Sequence, residues 1–212
     1  YALAWRYRFS RDATALRRAH DTLDFLETKM RGPHGGFWQW LPPSGPRLQN
    51  PHMHLTEAAL ALFDATGEQR FLDLARELVA LFHLALFDGR TLGERFTEDW
   101  RRIPGADGRA LEPGHHYEWA WILAQYQRVA GDDMTKTVEA LAAFAERGVD
   151  PNTGAVVDAI RDDGALLQCS SRVWPNTERI KAHLALFELT GANPRVHVSK
   201  SLDLLFQRYL AV

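Results

Sequence analysis

Three short segments gather ionisable and aromatic side chains: Asn50-Pro51-His52-Met53-His54, Glu112-Pro113-Gly114-His115-His116-Tyr117-Glu118-Trp119-Ala120-Trp121, and Arg172-Val173-Trp174-Pro175-Asn176-Thr177-Glu178. Asn50 and His54 stand four apart and His115 and Glu118 three apart, so each pair shares one face of a helix starting at its segment. Asp99, Glu118 and Glu178 could supply the acid and the base or nucleophile of a glycosidase, whose two carboxylates face each other about 5 to 10 Å apart. His52, His54, His115 and His116 could serve a metal, but no HExxH-type pair or thiolate set accompanies them, and His-x-His alone is a weak signal. Taken singly, each residue also has a plain role. Asn50 can cap a helix, Glu118 can offset a helix dipole, Glu178 can cap behind Pro175, and Trp119 and Trp121 can fill a core. Capping alone does not explain three such clusters at equivalent positions of a repeat.

Elements that could position these clusters follow from the spacing of apolar residues. Four polar breaks recur roughly every 60 residues, a period of stacked helical hairpins: Phe9-Ser10-Arg11-Asp12, Ala65-Thr66-Gly67-Glu68, Ala130-Gly131-Asp132-Asp133 and Thr190-Gly191-Ala192-Asn193. Each reads as a helix stop followed by a capped start. After the breaks the apolar residues keep to one helical face: Leu16, Ala19, Leu23 and Leu26, then Phe71, Leu74, Ala75 and Leu78, then Leu202, Leu205, Phe206 and Tyr209. Before the breaks, Leu55 to Phe63, Trp119 to Ala124 and Ile180 to Leu189 are apolar nearly all round and read as an inner helical layer. The connections leading into that layer are long, and long connections in compact domains are usually functional. Two of them read as containing short hairpins, one at Gly36 to Trp40 and one at Val156 to Ile160 with a turn at Asp162-Asp163-Gly164. All three clusters should therefore lie at one end of the inner layer.

With 46% apolar and 25% charged residues in a chain of 212, residues 1–212 read as a single ordinary globular domain. A net charge of -2 with interspersed signs offers no basic stripe for nucleic acid and no polybasic membrane patch. A single cysteine, Cys169, rules out an internal disulfide framework and fits a reducing compartment, so a cytoplasmic location is expected. No apolar run approaches the ~20 residues that span a bilayer. The helical array reads as open at both ends, with only a stub of inner helix at Tyr1 to Arg8, so further polypeptide on both sides is expected.

Asn-Pro-His-Met-His-Leu at 50–55, Glu-Pro-Gly-His-His-Tyr-Glu-Trp-Ala-Trp at 112–121 and Trp-Pro-Asn-Thr-Glu at 174–178, in that order, resemble the N-acylglucosamine 2-epimerase family, which also contains mannose isomerases, sulfoquinovose isomerases and cellobiose 2-epimerases. The resemblance implies an all-α (α/α)6 barrel, of which this chain covers about four hairpins, with short β-hairpins in its connections. It implies a metal-free site with no cofactor, a small sugar as the only partner, and a monomer or homodimer. In the family's isomerases His115 matches the histidine that exchanges the C2 proton, and His54 matches the one associated with ring opening. Asn50 and Glu118 match substrate-contacting or histidine-orienting positions, Trp174 an aromatic that packs on the sugar, and Glu178 a further substrate-binding candidate. The family's second acid/base histidine and its substrate-contacting arginine and tyrosine have no counterpart within the chain, so residues 1–212 alone are expected to be inactive. The Asn-Pro-x-Met-His and Glu-Pro-Gly-His forms look most like the mannose-isomerase branch. The expected activity is thus interconversion of an aldose and a ketose of the mannose and fructose type, through an enediol or enediolate. N-acylglucosamine 2-epimerisation is the close alternative, and a glycosidase or a non-enzymatic helical-repeat scaffold stands further off.

Overall fold

The computed structural model describes residues 1–210 and divides the chain into two compact units, each containing two helix-break-helix hairpins. The first unit comprises Tyr1–Leu86 and Arg95–Ile103, and the second comprises Phe87–Glu94 and the residues from Pro104 on.

In the first unit α1 (Ala2–Ser10) leads into α2 (Ala13–Phe25), and α3 (Asn50–Thr66) into α4 (Gln69–Leu81). A two-stranded antiparallel pair, β1 (Arg47–Leu48) and β2 (Arg95–Phe96), closes the approach to α3. The breaks behave as their residues require. Gly67 ends α3 in the left-handed region at φ 73°, where a glycine carries no Cβ penalty. Arg11 takes the same conformation at φ 52° without being glycine, and its guanidinium donates to the Ala65 carbonyl at 3.2 Å. Asp12 then caps α2 by accepting from the Thr14 N–H at 2.8 Å. The predicted face of α4 is buried throughout at Phe71, Leu74, Ala75 and Leu78, and α4 packs on α3, whose Met53, Ala59 and Leu60 are also buried.

The second unit holds α5 (Ala106–Arg109), β3 (Ala110–Leu111), α6 (Pro113–Ala130), α7 (Thr135–Ala145), β4 (Ala159–Arg161), β5 (Leu166–Gln168), α8 (Val173–Thr190) and α9 (Arg195–Leu204). β3, β4 and β5 form an antiparallel sheet in that order. Helix α6 is buried nearly all round, as predicted for an inner helix, and packs on both α7 and α8. Helix α8 is less enclosed than predicted: Ala182 and Ala185 are buried, but Leu184 and Phe187 are exposed. On the outer element that follows, Leu205 is buried while Leu202 and Phe206 are exposed. From Leu205 the chain forms a π turn, so the angular step per residue changes and the helical spacing rule fails for Phe206.

Of the two predicted hairpins the first is reduced to one bridge and the second keeps its turn. At Gly36 to Trp40 the chain bridges Arg31 with Phe37, and the Phe37 N–H, facing away from that bridge, donates to a side chain of α3. Val156 bridges Val149 and its N–H likewise turns outward to a side chain of α8, while the hairpin proper pairs β4 with β5 around the predicted turn at Asp162-Asp163-Gly164. Among the described residues no helix is long and apolar enough to cross a membrane.

Candidate active site

Each inner helix binds the connection before it through one side chain in its first turns. In α3, His52 Nδ1–H donates to the Leu48 carbonyl at 2.9 Å, and Nε2 accepts from the Phe37 N–H at 2.8 Å. In α6, His116 Nδ1–H donates to the Glu112 carbonyl at 3.0 Å, and Nε2 accepts from the Leu92 N–H at 3.0 Å. In α8, Asn176 Nδ2 donates to the Arg172 carbonyl at 2.8 Å, and Oδ1 accepts from the Val156 N–H at 2.9 Å. All three side chains are buried. Each bonds the carbonyl four residues back and one loop amide, which satisfies backbone groups that burial would otherwise leave unpaired. His52 is thereby a neutral imidazole: burial lowers its pKa to about 4, Arg47 pushes the same way, and only the Leu48 carbonyl opposes. Both of its nitrogens are committed to the backbone, so His52 and His116 leave the pool of candidate metal ligands.

His115, the residue before the α6 clasp, has a different environment. Its Nδ1–H donates to Glu94 Oε2 at 2.9 Å, and Glu94 Oε1 accepts the Glu112 N–H at 3.2 Å, which ties the carboxylate to the start of α6. Burial alone would lower the His115 pKa. The charge and hydrogen bond of Glu94, assisted by Glu112 and Glu118, outweigh it and raise the value to about 9. Around neutral pH the ring is therefore an imidazolium. The indole of Trp174 lies over it with ring centroids 5.2 Å apart. Gly114 permits this approach, because a Cβ there would come within 2.5 Å of the indole. Arg172 holds the far side, donating to Glu112 Oε2 at 2.6 Å and to Asp158 Oδ1 at 2.9 Å, with its guanidinium 5.2 Å from the Trp174 ring.

The second unit thus brings His115 and Trp174 together and carries Glu118 three residues along α6, also buried. Glu178, half-buried on α8, pairs with Lys181 at 2.7 Å within the helix. Asn50 and His54 belong to the first unit, Asn50 half-buried at the first residue of α3 and His54 exposed one turn on. Asn50 is not the helix cap, since Gln49 occupies that position. Asp99 is exposed on a turn of the first unit, where it accepts from Thr97 and pairs with Arg101 at 2.8 Å. Glu94, which lies in none of the three motifs, is the residue that sequence reasoning missed.

A second polar cluster in the second unit has another character. Glu146 accepts from Tyr117 at 2.6 Å, from Arg179 Nε and Nη2 at 2.7 Å each, and from His183 at 2.9 Å, with His197 stacked on His183 at 3.8 Å between ring centroids. Glu146, His183 and His197 have the types and spacing to hold a cation. The Arg179 fork, however, already covers both carboxylate oxygens with positive charge. The cluster is a half-buried ion-pair lock joining α6, the turn after α7, α8 and α9.

Residues 2–212 match the family model described as N-acylglucosamine 2-epimerase (GlcNAc 2-epimerase). The chain is 36% identical over 177 residues to a mannose-6-phosphate isomerase of Rhizobium meliloti (strain 1021), covering 80% of this chain and 46% of that protein. It is 33% identical over 162 residues to a D-mannose isomerase of Thermobifida fusca, covering 68% of this chain and 40% of that protein. The chain therefore spans about half the length of the curated relatives it matches. The crystal structure of a D-mannose isomerase superposes with a TM-score of 0.85 at 21% identity, covering 97% of this chain and 57% of that one. At that identity the likeness is one of fold, the helical hairpins of an (α/α)6 barrel covered in part. Family model, motif order and helical repeat agree over nearly all of the sequence, and the chain belongs to the N-acylglucosamine 2-epimerase family.

Proposed function

We propose that the protein is a sugar isomerase interconverting an aldose and a ketose of the D-mannose and D-fructose type, by metal-independent proton transfer at C2. The observation that carries this reading is His115, buried, paired to Glu94 and covered by the Trp174 indole. In the aldose direction the C2–H bond breaks, its electrons form the C1=C2 bond, and the carbonyl oxygen takes a proton to give an enediol. A proton returned to C1, with loss of the O2 proton, leaves the ketose. In the reverse direction the His115 imidazolium is the proton source at C2, while in the forward direction its neutral form is the acceptor. Trp174 offers an apolar plane to a sugar face and excludes water that would compete for the enediolate. Asn50, Glu118 and Glu178 are assigned to substrate hydroxyls and His54 to ring opening, by motif position. We place the reaction in the cytoplasm and in a single catalytic domain.

The description of the matching family favours a second reading, N-acylglucosamine 2-epimerisation, in which the proton returns to C2 on the opposite face. Proton NMR in heavy water separates the two when the complete protein is incubated with mannose, N-acetylmannosamine and cellobiose in turn. Fructose formed from mannose with deuterium entering the sugar supports the isomerase. Exchange at C2 with only an epimer formed selects the second reading, and no exchange with any sugar rejects both.

A further inference from the structure

Resting on the reading of His115 as the group that exchanges the C2 proton, the geometry points to Glu94 as its positioning residue, held in place by the His116 clasp. Three observations support the assignment. First, Glu94 uses both oxygens locally: Oε2 accepts His115 Nδ1–H at 2.9 Å, and Oε1 accepts the Glu112 N–H at 3.2 Å. A carboxylate held at two points of one helix start sets the ring plane and the tautomer of the imidazole between them, and leaves Nε2 as the nitrogen for proton exchange. Second, the segment carrying Glu94 is built to be stiff. Asp88 Oδ1 accepts the Arg90 and Thr91 N–H groups at 2.9 and 2.7 Å, its Oδ2 accepts from the Thr91 hydroxyl at 2.7 Å, and Phe87 bridges Leu92. Third, His116 accepts the Leu92 N–H at 3.0 Å, two residues before Glu94. The adjacent imidazoles thus divide the work: His116 docks the loop, the loop presents Glu94, and Glu94 aims His115.

Glu118, the carboxylate at helical spacing from His115, acts on it through charge, whereas Glu94 supplies both charge and the Nδ1 hydrogen bond. Removing Glu94 therefore changes what His115 is, and removing the clasp changes where Glu94 stands. Asn176 makes the His116 pair of bonds in α8, so asparagine is the conservative replacement at 116.

The test uses the complete protein labelled with 15N-histidine, as wild type, Glu94→Gln, Glu94→Asp and His116→Asn. Imidazole nitrogen shifts report the tautomer and titration of His115, and steady-state kinetics with mannose reports kcat and KM. The expected result is a His115 titration in the wild type well above that of an ordinary histidine, dropping in Glu94→Gln. kcat should fall about 10- to 100-fold with KM little changed. Glu94→Asp should recover part of both, and His116→Asn should keep the high titration. A His115 titration unmoved by Glu94→Gln, or kcat and its pH profile unchanged, would overturn the assignment. If Glu94→Gln fails to fold, Glu94→Asp decides by the same two readouts. A wild type that exchanges no sugar proton while His115 still shifts in Glu94→Gln would defeat the functional reading and leave the positioning role standing.

Discussion

The starts of α3 and α6 carry buried histidines within a residue of the same helical position and give them opposite chemistry. His52, the third residue of α3, and His116, the fourth of α6, each spend both ring nitrogens on the backbone. His115, the third residue of α6, finds a carboxylate. Burial is nearly the same for all three, at 1%, 0% and 7% exposure. What differs is the partner: burial keeps His52 neutral down to about pH 4, with the Leu48 carbonyl too weak to oppose it, whereas Glu94 outweighs burial and keeps His115 charged up to about pH 9. Burial sets the sign where no opposite charge stands against it, and a carboxylate at hydrogen-bond distance reverses it.

The largest effect that would sharpen this contrast is on turnover. His115→Ala should cut kcat by about 10²- to 10⁴-fold, the usual weight of a positioned acid or base, with the fold intact; deuterium entry at C2 measures it. The opposite result is expected at the clasp. His52→Ala strands the Phe37 N–H and the Leu48 carbonyl in a buried site and should destabilise by about 2 to 4 kcal/mol in chemical denaturation. His52→Asn, copying Asn176, should recover part of that loss.

Smaller effects test the packing and the titrations. Gly114→Ala should cost about 1 to 3 kcal/mol, because the new Cβ meets the Trp174 indole, and should lower activity as the indole leaves His115. The two histidines should leave opposite marks on stability against pH. His52 has a folded pKa of about 4 against an unfolded value near 6.5, so the unfolded chain binds the proton first and stability falls as pH drops from 6.5 to 4. His115 has a folded pKa raised to about 9, so its contribution is fully present below pH 6.5 and is lost as pH rises through 9. Melting followed across this range should show the acid limb vanish in His52→Asn and the alkaline limb weaken in Glu94→Gln. An acid limb that survives His52→Asn would place the titrating group elsewhere.

The helical hairpins were legible because their signals are local. Gly67, Gly131 and Gly191 take the left-handed cap at three of the four predicted breaks and Arg11 at the first, and the 3.6-residue spacing of Phe71, Leu74, Ala75 and Leu78 names the buried face of α4. What anchors the connections was not legible, because the side chains that take up the outward-facing Phe37 and Val156 amides lie 15 and 20 positions away. His115 was legible as a candidate, but nothing in the adjacent pair His115-His116 separates the group that titrates from the one that clasps. Glu94 was not legible, since no spacing rule links a loop carboxylate to an imidazole 21 residues on.

Family, helix-break-helix order and the clustering of residues at the helix starts are written locally, because caps, periodicity and motifs act over a few residues. Which histidines are neutral clasps and which is an imidazolium depends on contacts that form only in the folded chain. The outcome rests on electrostatics and hydrogen bonding across loops, where a partner at about 3 Å in space outweighs any neighbour in the chain.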